Sequence, residues 1–234
     1  MKKMECVPPR PTKRLFVSNL RLPLFALLLS LWVGTAVAAK SGDTEPVLQT
    51  SEVQPLALQQ QESLELFKQI YKLSSENSKA DHLERITELY LQIIQNCPDA
   101  PLAQESYFLL IELFLNDYRP PLKEKAVELF RQFKEEYPHS RSTGVIKYAV
   151  AKGFFANNFW QELIQLESSS VKEYFVTGKI DSPLSLFYYS EAKYNLHEYD
   201  EAVKGYSALV KNFPDTLIAQ TAVKKLAQID MLNK

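Results

Sequence analysis

The chain has 234 residues, is 46% hydrophobic and carries 27 basic against 28 acidic side chains, enough apolar material for one sizeable core or one stack of repeats. Six of the basic residues and one acid fall within the first 39, so the remainder holds 21 against 27, a net charge near −6. That balance argues against a nucleic-acid ligand, which asks for a basic face. Of the two cysteines only Cys97 lies beyond the N-terminal segment, which excludes a disulfide within the rest of the chain.

Residues 1–39 place Lys2, Lys3, Arg10, Lys13, Arg14 and Arg21 ahead of or at the start of an apolar run, 22–33, followed by Ala36-Val37-Ala38-Ala39. This is the order of a secretory signal peptide cut near Ala38 or Ala39. The apolar run is shorter than the roughly 20 residues of a comfortable membrane span, which makes an uncleaved anchor the weaker alternative. No cysteine directly follows the run, so lipoprotein-type anchoring is not expected. The stretch 40–61 is rich in Ser, Thr and Gln, contains Pro46 and Pro55, and reads as a flexible linker. The folded domain is then 62–234.

Within it the apolar residues recur at helical spacing. A first hairpin pairs 62–74 with 80–96 across a polar turn. A second pairs 102–115 with 122–136 across a rigid Pro120-Pro121 elbow. A third joins a helix carrying Val145, Ile146, Ala149, Val150 and Phe154 to one opened by Phe159, Leu163 and Leu166; its continuation, 168–183, contains Gly178 and Pro183 and reads as a loop or frayed turn. The fourth and clearest pairs 186–196 with 199–213 and stops at Pro214. A last helix over 216–232 closes the open end, with Lys224 and Lys225 expected to face outward.

In the second helix of the fourth hairpin, Ala202 is small where it presses on the first helix, Tyr206 follows one turn later, and Pro214 closes the unit. This resembles a tetratricopeptide repeat, whose second helix carries an alanine, an aromatic four residues on and a closing proline. Ala126, Phe130 and Pro138 repeat the set, and Ile86, Tyr90 and Pro98 repeat it with a bulkier first member. In the third hairpin Leu163 and Glu167 stand in those places and no proline follows. The marks at 86, 126, 163 and 202 lie 40, 37 and 39 residues apart, a longer period than the strict repeat. The joints Tyr137-Pro138-His139-Ser140 and Phe213-Pro214-Asp215-Thr216 are similar to those of repeat proteins of the bacterial cell envelope. Among these are the tetratricopeptide lipoprotein of the outer-membrane β-barrel assembly machinery and the periplasmic coordinator of the Tol-Pal system. The resemblance implies an all-α fold, a right-handed superhelical solenoid of about four hairpins with a C-terminal capping helix.

No catalytic set accompanies this pattern. His82, His139 and His197 are isolated at turns, no paired Cys/His spacing occurs, and none of the six glycines lies in a phosphate-cradling run. The chain therefore reads as a non-enzyme without cofactor or metal. In stacked hairpins the first helices line a concave groove that takes a peptide or partner helix. By the repeat pattern the groove positions are Glu105, Phe108, Glu112 and Leu115; Lys147, Ala151 and Phe154; and Leu184, Phe187, Glu191, Tyr194 and Asn195. Of these, Phe108, Glu112, Leu115, Lys147, Phe154, Phe187, Glu191 and Tyr194 are the candidate partner-binding residues. The expected function is an exported, periplasmic scaffold that binds another envelope protein, in outer-membrane assembly or envelope maintenance. A glycan-binding accessory protein for a cell-wall or exopolysaccharide enzyme system is the alternative.

Overall fold

A computed structural model describes residues 54–75 and 79–232 of the chain. The signal peptide expected over 1–39 and most of the linker expected over 40–61 lie outside the described residues. Nine α-helices run through the described part: α1 Leu56–Ser75, α2 Leu83–Asn96, α3 Pro101–Asn116, α4 Lys123–Glu136, α5 Thr143–Ala156, α6 Trp160–Thr177, α7 Pro183–Asn195, α8 Tyr199–Asn212 and α9 Leu217–Leu232. A short 3-10 turn, Lys79–His82, leads into α2. The helices pair as four antiparallel hairpins, and α9 packs on the last of them. The fold is an all-α solenoid.

The recurring side chains explain the stacking. Ile86, Ala126, Leu163 and Ala202 are each no more than 1% exposed, so all four mark the line where a second helix presses on its neighbours. Successive first helices touch, α1 with α3, α3 with α5 and α5 with α7, and α7 in turn touches α9, whereas no two of the second helices α2, α4, α6 and α8 meet through their backbones. The first helices thus form one continuous layer. Two apolar clusters fill the interior, one running from α1 to α7 and the other from α6 to α9, and Phe187 packs against both.

The joints after the prolines start the next helix. Thr216 Oγ1 accepts the Ala219 N–H at 3.2 Å, and Ser140 Oγ accepts the Ser142 N–H at 3.0 Å, satisfying donors that a helix start leaves unpaired. Pro101 and Pro183 stand in the first turn of α3 and α7, where a missing N–H costs nothing. Ser182 caps α7 by accepting the Leu184 N–H at 3.3 Å.

Two boundaries and one side chain differ from the sequence expectation. Helix α1 begins at Leu56, inside the stretch read as linker. Its anchor is Gln59, 1% exposed, whose side chain donates to Gln54 O at 2.9 Å and to Asp99 Oδ2 at 3.1 Å and accepts the Asp99 N–H at 2.9 Å. A polar residue with every hydrogen bond made is as well buried as an apolar one, and nothing in the local pattern announces it. Helix α6 runs on through the serine-rich segment to Thr177, because Val171 and Tyr174 extend the buried stripe of Leu163 and Glu167. Ser168 Oγ turns back to Ile164 O at 2.5 Å and so leaves the helix intact. The turn shrinks to the five residues 178–182, opened by Gly178 at φ 73°, a left-handed C-cap that favours glycine. Third, Lys225 does not face outward: it folds onto Glu191 at 2.9 Å.

Candidate functional site

The candidate groove residues divide into two groups. Leu115, Phe154 and Glu191 are 0%, 1% and 4% exposed and belong to the packed interior rather than to an open surface. Leu115 is buried because Gly153 opposite it has no side chain; a Cβ there would lie 2.6 Å from Leu115 Cδ1. Phe154 packs edge-on against Phe159, with ring centroids 6.1 Å apart. Glu191 accepts the Tyr206 hydroxyl at 2.7 Å and the Lys225 ammonium at 2.9 Å. Burial and then this hydrogen bond to Glu191 push the Tyr206 phenol far above its usual range.

Phe108, Glu112, Lys147, Phe187 and Tyr194 are half-buried, with part of each side chain open to solvent. Glu112 accepts from Asn116 at 2.7 Å, one turn on. Phe187 tilts against Phe155 at 6.3 Å between ring centroids. Tyr194 lies under the Lys225 ammonium, 4.2 Å from its ring centre. The structure therefore brings Glu191 and Tyr194 together around Lys225, and it leaves Phe108 and Glu112 two hairpins away on α3.

Lys147 opens onto a small cleft. Where α3 and α5 pack closely, α5 and α7 barely meet, and the long α6 packs extensively along α7. Between them lies a cleft of about 100 Å³, with Lys147 and Tyr148 from α5, Glu167 and Ser170 from α6, Asp181 from the turn and Tyr188 from α7 on its walls. Glu167 is 2% exposed. Lys147 Nζ stands 2.7 Å from Glu167 Oε2 and donates to Ser170 Oγ at 2.9 Å. Glu167 is thus buried as one half of an ion pair whose other half, Lys147, is partly open to solvent. Tyr148 and Tyr188 lie with ring centroids 6.4 Å apart. Burial first, then Tyr148 and the Glu167 carboxylate, raise the Tyr188 phenol well above its usual range.

Sequence reasoning found Lys147 and passed over Tyr148, Glu167, Asp181 and Tyr188. One signal was there: Glu167 holds the place where the other hairpins carry Tyr90, Phe130 and Tyr206. A carboxylate at a buried aromatic position is the kind of local inconsistency that marks a site.

The tetratricopeptide repeat family model matches residues 184–216, which covers α7, α8 and the joint before α9. That hairpin is tetratricopeptide-like. No curated protein matches the chain significantly. Repeats of this type generally mediate protein–protein interaction. Among the described residues no helix is long and apolar enough to cross a membrane, and no group of three or more His, Cys, Asp or Glu is placed to hold a metal ion.

Proposed function

We propose that the chain is an exported, non-catalytic scaffold of the bacterial cell envelope that binds a peptide or helix of another envelope protein along its first-helix layer. Outer-membrane assembly or envelope maintenance is the process it serves. The observation that carries this reading is the aromatic lining of that layer: Phe108, Tyr148, Phe187 and Tyr194 stand on successive first helices with ring surface still open to solvent. Large aromatic side chains supply much of the energy of protein interfaces at little entropic cost, and here they are held on a stack of repeats whose type generally binds proteins. The basic residues, apolar run and small residues of positions 1–39 support export.

A photo-crosslinking amino acid placed in cells at Phe108 or Phe187, with Glu128 on α4 as the control, tests the reading. The same partner is expected from both first-helix positions and not from Glu128. Crosslinks concentrated at Glu128, or none from the first helices, would overturn it. Fusion of the full chain to a phosphatase active only after export tests the localisation, and an inactive fusion removes it.

A further inference from the structure

We propose that the solenoid bends at a hinge inside its third hairpin, so that residues 54–156 and 160–232 rock against each other as two arms. Of all the cuts between successive helices, the one between α5 and α6 crosses the least backbone packing. The first, second and fourth hairpins hold their two helices closely together. In the third, α5 and α6 pack loosely and α6 lies instead along α7. The body that moves is therefore α6 to α9, and the break falls within a hairpin instead of between two.

Both sides of this seam are open. On the α7 side lies the cleft of about 100 Å³ beside Lys147. On the α4 side lies a second, of about 280 Å³, walled by Val127 and Phe130 from α4, Val150 and Phe154 from α5 and Gln165 and Leu166 from α6. A close-packed contact has no room to rotate. Here rotation about the line where α5 meets α6 narrows one cleft as it widens the other.

The contacts that cross the seam tolerate such movement. Phe155 on α5 meets Trp160, Phe187 and Tyr188 of the other arm, with ring centroids 5.7, 6.3 and 5.4 Å apart. Apolar attraction of this kind has no preferred direction, so the rings can slide. Two lysines of the first arm supply polar ties: Lys147 reaches Glu167 at 2.7 Å and Ser170 at 2.9 Å, and Lys123 reaches Glu162. The flexible four-carbon stem of a lysine keeps its ammonium on a partner that shifts. Phe108 and Phe187 stand on opposite arms, so a partner that touches both selects one angle from those the hinge allows. That consequence rests on the protein-binding reading above, whereas the hinge itself does not.

Spin labels on introduced cysteines, with distances read by double electron–electron resonance, test the hinge in the full chain carrying Cys6→Ser; Cys97 is buried and stays unlabelled. The label sites Glu84, Glu124, Ser169 and Ser207 are exposed, on α2, α4, α6 and α8. Glu124 with Ser169 spans the seam, Glu84 with Glu124 lies within the first arm, and Ser169 with Ser207 lies within the second although its members belong to different hairpins. The distance distribution across the seam is expected to be about twice as broad as either distribution within an arm. Equal widths, or a broad Ser169–Ser207 distance beside a narrow Glu124–Ser169 one, overturn the hinge. A narrow seam beside a partner crosslinked from both Phe108 and Phe187 removes the hinge alone. A broad seam with no partner crosslinked from either supports the hinge and removes the protein-binding reading.

Discussion

Replacing Lys225 with methionine probes the contact that holds α9 on the last hairpin. In the folded chain its ammonium lies 2.9 Å from Glu191 Oε2 and 4.2 Å from the centre of the Tyr194 ring. The Glu191 side chain is 6% exposed and that of Lys225 22%. Removing one partner of a fully buried pair costs about 3–5 kcal/mol, because the remaining charge is left desolvated. Lys225 retains some water and Glu191 keeps the Tyr206 hydroxyl, which scales the expected loss to about 2–3 kcal/mol. Methionine preserves the stem packing, so the loss reports the charge and not a cavity. Urea unfolding followed by circular dichroism gives the magnitude, and hydrogen exchange gives the place: α9 amides should lose protection first, since the tie they depend on is gone. Adding Glu191→Gln removes the stranded charge and should recover stability to within about 1 kcal/mol of the parent. A loss below about 0.5 kcal/mol in Lys225→Met, or a double variant no better than the single one, would refute the account of Glu191 as a buried charge held by two partners.

Gly205→Ala should destabilise by about 1–3 kcal/mol, despite the better helix propensity of alanine, because the new Cβ would fall 1.9 Å from Ser190 Oγ; a raised melting temperature would contradict it. Alkaline conditions should unfold the chain. Burial holds the Tyr90 and Tyr137 phenols up at about 12 and raises Tyr107, Tyr188 and Tyr206 as well, whereas an unfolded phenol titrates near 10. The unfolded state therefore loses protons that the folded state keeps, and stability present below about pH 10 falls as the pH rises, by about 1.4 kcal/mol per pH unit for each tyrosine. Tyr206→Phe should reduce that slope by one such step in urea titrations across the range, and an unchanged slope would count against it. Finally, Lys147→Met combined with Glu167→Leu should leave stability unchanged or raise it, by up to a few kcal/mol. A loss above about 1 kcal/mol would show instead that the pair stabilises the hairpin.

The hairpins were legible because each one repeats a packing requirement. A residue pressed between helices, a bulky one a turn later and a proline at the exit leave the same marks at Ile86, Ala126 and Ala202, and the structure buries all three. The groove was less legible, since the faces of a helix lie about 100° apart per residue and the choice between surface and interior turns on the opposing side chain. Leu115 went inside because Gly153 vacates the space across from it. Glu191 went inside because its partners arrive from 15 and 34 residues away, beyond the reach of any local pattern. Gln59 is the same case in a polar stretch: its partner, Asp99, stands 40 residues on.

These long-range partners also explain why the third hairpin departs from the others. In the second, Tyr107 on the first helix donates to Glu136 on the second at 2.7 Å; in the fourth, Tyr206 on the second helix donates to Glu191 on the first at 2.7 Å. Each joins its two helices through one phenol and one carboxylate. The third has the carboxylate, Glu167, where the fourth has its phenol, and a lysine answers from α5 at 2.7 Å. A glutamate side chain does not fill the volume of a tyrosine ring, and it is along this hairpin that α5 and α7 draw apart and the cleft opens. A buried ion pair costs desolvation that an apolar contact of the same size does not, and natural chains hold such costs where function needs them. The irregular hairpin is thus the part of the solenoid where the aromatic packing of the repeat gives way to a buried ion pair.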